Sequence, residues 1–112
     1  MAEEQTAAQK LLGDFAPELV RLTDDVLFGE VWAGEGLSQR DRSLVTVATL
    51  VALYRGDQLA FHLPLALQNG VTKEELVEAI THIAFYAGWP NAMSAITQLK
   101  GIVEGAESAD AS

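Results

Sequence analysis

The 112-residue chain carries 16 acidic and 7 basic residues, a formal net charge of −9, with 49% apolar residues and no cysteine. A field of that sign repels a phosphate backbone or an anionic lipid surface, and no run of Lys or Arg offsets it, so neither nucleic acid nor a membrane is an expected partner. The length suits one domain, residues 1–112, and the apolar share is high for a small monomer, which implies a partner subunit over part of the surface.

Met1 to Lys10 is polar and acidic, unlike a secretory signal, so the expected compartment is the cytoplasm. Residues 2–12 read as a short, weakly amphipathic helix. Pro17 suits the first turn of a second helix, with Leu19, Leu22, Val26 and Leu27 on one face, and Gly34 and Gly36 end it. Ser38, with Asp41 three residues on, reads as the N-cap of a third helix reaching about Leu53. That helix is apolar almost all round after Ser43, the pattern of a central, buried element, and its Leu44–Tyr54 run is too short to span a bilayer. Gly56 opens a fourth helix to about Gln68, which Asn69-Gly70 ends, and Pro64 inside it predicts a kink or a restart. Thr72 and Glu75 form a capping box for a fifth helix to Tyr86 or Ala87. Pro90 sits in the first turn of a last helix to about Glu104, and the small, acidic tail 105–112 is expected to be disordered. The fold class is all-α, a helical bundle of about six helices.

The fourth helix carries the candidate chemistry. His62 shares its face with Leu59, Leu63 and Ala66, the setting of a satisfied core histidine more often than of a catalyst. Gln58 and Arg55, four and seven residues earlier, would place an amide and a guanidinium beside the ring, a set able to hold a carboxylate and move a proton near neutral pH. His82 follows Glu78 by four residues, which an ion pair explains. Trp32, Phe61, Phe85, Tyr86 and Trp89 belong to the core, to a subunit interface, or to the wall of a ligand pocket around His62, with Tyr86 and Asn91 as orienting polar groups. Two histidines twenty residues apart without cysteine lack metal-ligand spacing, so no structural metal is expected, and no phosphate-binding glycine loop is present.

The segments GEVWAGEGLSQRDRSLVTVATLVAL, RGDQLAFHLPLALQNGVTKEEL and HIAFYAGWPNAMSA resemble the carboxymuconolactone decarboxylase family of the AhpD-like all-helical superfamily, in one unbroken order. The alkylhydroperoxidase branch of that superfamily uses Cys-x-x-Cys-x-x-x-His. His62 matches its histidine, but Arg55 and Gln58 stand at the thiol positions, and without a thiolate there is no peroxidatic nucleophile. The decarboxylase branch releases carbon dioxide from 4-carboxymuconolactone in the protocatechuate pathway of aromatic compound degradation, without a cofactor. His62, Arg55 and Arg42 match it, implying His62 as general acid/base, Arg55 and Arg42 as carboxylate clamps and Gln58 as an orienting donor. Tyr86, Trp89, Asn91 and His82 would then line the substrate pocket. Those decarboxylases resemble REGEFRMH around the histidine, whereas this chain has Gln58 and Ala60 where the family has an acid and an arginine. The resemblance thus implies a lyase or isomerase acting on a small anionic lactone or oxo-acid, in a trimer or hexamer. A non-catalytic ligand-binding or assembly protein of the same fold is the other reading.

Overall fold

Helix boundaries in this protein follow capping chemistry closely. A computed structural model describes residues 4–111, which are helical apart from short connections and include no strand. The chain divides into two units, one ending at Leu37 and the other beginning at Ser38.

The first unit holds α1 (Ala7–Leu12), α2 (Pro17–Arg21) and a π-helical segment, Leu22–Val31, that continues α2. Thr6 starts α1: its hydroxyl accepts from the Gln9 N–H at 3.1 Å, and the Gln9 side chain accepts from the Thr6 N–H at 2.8 Å. The helix therefore begins at Ala7 rather than near residue 2, which lies outside the described residues. Pro17 takes the first position of α2, where its missing N–H costs nothing. Beyond Leu22 the hydrogen bonds widen by a residue, as in Trp32 N–H to Leu27 O at 2.9 Å. That winding breaks the 3.6-residue register on which the expected apolar face rested. Leu19, Leu22 and Leu27 are exposed, and the buried residues are Val20 and Trp32, the latter stacked on Phe28.

The second unit is four helices: α3 (Gln39–Ala52), α4 (Gly56–Gln68), α5 (Lys73–Ala87) and α6 (Trp89–Ala111). Ser38 caps α3 through the Asp41 N–H at 3.1 Å, and Thr72 with Glu75 forms the full capping box of α5. α4 runs unbroken through Pro64, so no restart occurs there. α6 continues beyond Glu104 to Ala111 where a disordered tail was expected, because alanine and glutamate there favour helix enough to outweigh Gly101 and Gly105.

Leu63, Leu76, Ile80, Leu99, Val47, Val51 and Val71 are fully buried and form one core with Leu59, Ala66 and Ala95. Each such large side chain contributes about 1.5–3 kcal/mol of burial. α3 packs on all three other helices, yet Val45 is 56% exposed, so the helix is central without being buried all round. α3 and α4 are antiparallel: three residues join the end of one to the start of the other, while Asn69, which follows α4, donates to the hydroxyl of buried Ser43 near the start of α3 at 3.0 Å. α4 and α5 stand across the bundle, each packed on α3 and α6.

Candidate functional site

His62 lies in the middle of α4, half-buried, with Nδ1 shielded from solvent and the Phe61 ring edge-on at 5.0 Å. Burial pushes its pKa below the ordinary 6.5, because removing water penalises the imidazolium. Gln58, one turn earlier, is exposed. Arg55 precedes α4 with φ −99° and ψ 72°, outside the regular helix. Its seven-residue spacing to His62 therefore does not by itself lay the guanidinium beside the ring. Arg42 is half-buried in the first turn of α3, and its carbonyl accepts from the Thr46 hydroxyl at 2.7 Å.

The other expected residues fall elsewhere in the second unit. His82 and Tyr86 stand on α5 with ring centroids 5.0 Å apart; the partner of the His82 ring is thus Tyr86, and the expected ion pair with Glu78 is not among the described contacts. Both line an open groove between α3 and α5, made of two adjoining recesses of about 410 and 430 Å³ that share Ala48, His82 and Ile83. Trp89 meets Phe85 edge to face at 5.4 Å and walls a recess of about 110 Å³ between α5 and α6. Asn91 faces the α3–α4 corner, donating to the carbonyls of Val51 at 3.0 Å and Ala52 at 3.1 Å. Of the aromatic wall expected around His62, Phe61 meets its ring, whereas Phe85 and Tyr86 sit on α5, across the bundle from α4, at 75% and 81% exposure, and Trp89, at the start of α6, is 57% exposed. None of the recesses just described is lined by His62, Gln58, Arg55 or Arg42.

Sequence reasoning missed the polar seam where α6 meets the α3–α4 corner. Asn91, Ser94 and Gln98 are spaced by three and four residues and so share a face of α6. Ser94 donates to the Tyr54 hydroxyl at 3.4 Å, and Gln98 donates to the Gly56 carbonyl at 3.1 Å. The available signal was Tyr54 itself, which ends a helix where no glycine stands. Among the described residues, no three His, Asp or Glu side chains gather where a metal could be held, and no helix is long and apolar enough to cross a membrane.

The model of the carboxymuconolactone decarboxylase family matches residues 17–101, which contain every candidate residue above. The 4-carboxymuconolactone decarboxylase of Acinetobacter baylyi is 45% identical over 85 residues, covering 76% of this chain and 63% of that protein. Nitrosuccinic acid decarboxylase of Metarhizium robertsii is 36% identical over 69 residues, covering 62% of this chain and 48% of the relative. The chain thus spans between about half and two-thirds of the length of these curated relatives.

Proposed function

Since the chain belongs to the carboxymuconolactone decarboxylase family, we propose that it is a cofactor-independent lyase or isomerase acting on a small anionic lactone or oxo-acid, with His62 as general acid/base. The observation that carries this reading is the position of His62, half-buried in α4 with its pKa lowered by desolvation. The names of both relatives describe loss of carbon dioxide from a small acid bearing more than one carboxyl group. In such a step the carbon–carboxylate bond breaks, its electron pair passes to an adjoining electron-withdrawing group, and a proton takes the place of the carbon dioxide. A lowered pKa makes the imidazolium a stronger acid towards that carbon, and an arriving carboxylate raises the fraction protonated. Arg55 and Arg42 supply the cations for the carboxylates, and Gln58 a neutral donor. A thiol peroxidase reaction is not proposed, since the chain has no cysteine.

The assembly in this reading is a trimer or hexamer in the cytoplasm, working in aromatic compound degradation. In this reading His82, Tyr86 and Trp89 line the substrate pocket, at a contact between copies. The exposed Val45, Phe85, Tyr86, Trp89 and Met93 support such contacts.

The test is decarboxylation of 4-carboxymuconolactone and of nitrosuccinate, followed as carbon dioxide release, by the parent and by His62→Gln. Loss of turnover by at least about 100-fold in a folded variant is expected; equal turnover would refute the role of His62. Light scattering at the 12.0 kDa monomer mass would refute the assembly. The second reading, a binding protein without turnover, is favoured by Gln58 and Ala60 at positions where the decarboxylases carry charge, and calorimetric binding of these acids without product would establish it.

A further inference from the structure

α3 and α4 end in the same motif. At each, one N–H reaches back five residues and its predecessor reaches back three: Arg55 to Leu50 at 2.9 Å and Tyr54 to Val51 at 3.1 Å, then Val71 to Ala66 at 3.0 Å and Gly70 to Leu67 at 3.2 Å. The motif requires a left-handed residue. After α4 it is Gly70, at φ 101°; after α3 it is Tyr54, at φ 61°, the one non-glycine residue with positive φ in the described chain. A side chain there carries a steric penalty that glycine avoids.

Burial in the core does not repay that penalty. Tyr54 is 61% exposed, so its ring is not held by the core, and the Ser94–Tyr54 hydrogen bond at 3.4 Å is too long to contribute much. What the ring does is wall a recess of about 240 Å³ whose other sides are Val51, Gly56, Leu59, Asn91, Ser94 and Gln98. Gly56 keeps the recess in shape, since a Cβ there would meet the Gln98 amide nitrogen at 3.3 Å.

The lining has no formal charge, which tells against an anion, for its carboxylate would be desolvated there without a counter-charge. Both Asn91 N–H groups are given to Val51 and Ala52, so that amide offers a ligand its oxygen. The Tyr54 hydroxyl and the second Gln98 N–H offer donors. Val51 and Leu59 supply an apolar floor. The volume is below the roughly 300 Å³ at which pockets begin to hold drug-sized ligands.

We infer that this recess at the α3–α4 corner is a binding site for a small uncharged carbonyl compound, with Tyr54 kept in a strained conformation as its wall and hydrogen-bond donor. Strain held at a ligand-facing position, and relieved with glycine where only the backbone matters, is the pattern expected of a retained binding residue. The site is separate from His62, and its occupancy does not depend on whether His62 turns anything over.

The experiment is amide NMR on the full ¹⁵N-labelled chain titrated with 2-pyrrolidone and γ-butyrolactone, with succinate as the anionic control. Saturable shifts of the Asn91 and Gln98 side-chain amides and of the Gly56 N–H are expected with the two neutral probes and not with succinate. Tyr54→Gly should weaken neutral-probe binding at least ten-fold while its Tm equals or exceeds that of the parent. His62→Gln should bind the probes with unchanged affinity. Absence of saturable shifts, or an equal response to succinate, would overturn the proposal. So would a Tyr54→Gly protein that melts several degrees lower, since the ring would then be structural. A drop in its molar mass by light scattering would assign Tyr54 to a subunit contact instead.

Discussion

The ends of α3 and α4 solve one backbone problem in two ways. Both close with the same pair of hydrogen bonds, yet α4 spends glycine at the left-handed position and follows it with Val71, which is 1% exposed and part of the core. α3 keeps a tyrosine there and follows it with exposed Arg55. The first end is shaped by packing, and its residues are those that packing and sterics select. The second departs from that selection at two successive positions: both put polar side chains at the surface, and Tyr54 walls a recess. A helix end that breaks the local rule without gaining burial is where function is to be sought.

Substitutions at matched positions test the contrast. Val71→Ala should cost about 1.5–3 kcal/mol in urea unfolding, through lost burial and the void left behind. Gly70→Ala should cost about 1–2 kcal/mol, and purely through the backbone, because nothing lies within 4 Å of the added Cβ. Tyr54→Gly should go the other way, gaining up to about 1 kcal/mol. If it instead destabilises as Val71→Ala does, the two ends are both structural and the contrast fails. Arg55→Ala should leave the unfolding midpoint unmoved while reducing decarboxylation, since its side chain is exposed and outside the core.

The smallest effect comes from His62, midway along the helix that joins the two ends. Its folded pKa lies below the ordinary 6.5. Above that value the ring is neutral whether folded or not, and the full stability is present. As pH falls through 6.5 the unfolded chain takes up the proton first, so stability declines until the lowered folded value is passed and then levels. Unfolding of His62→Gln between pH 7 and 5 should lack this decline. Glu75, whose pKa is lowered chiefly by the Thr72 N–H and further by Arg40, behaves similarly at more acid pH: its contribution is present above 4.5 and is lost as pH falls.

Much of the fold was legible because caps and periodicity are local. Ser38, Thr72 with Glu75, Pro17 and Asn69-Gly70 each marked a boundary within a residue or so of its place. The expected face of α2 was lost because a change to π winding has no marker in composition. The candidate site was legible only as a family pattern. Gln58 and His62 do share α4, but Arg55 leaves the helix register, and His82 and Tyr86 belong to α5, across the bundle from α4. Spacing along one helix is a local quantity, whereas the pairing of α4 with α3 and α6 rather than with α5 depends on all four apolar faces at once.

By itself the sequence determined the all-helical class, the family, the absence of a thiol nucleophile and most helix limits, since each follows from residues close together in the chain or from composition. Only the tertiary structure decided that His62 is half-buried, that His82 stands across the bundle from it, and that Tyr54 walls a neutral recess with Asn91, Ser94 and Gln98. The recess depends on α6 crossing the α3–α4 corner about forty residues later in the chain, a contact that no local preference encodes.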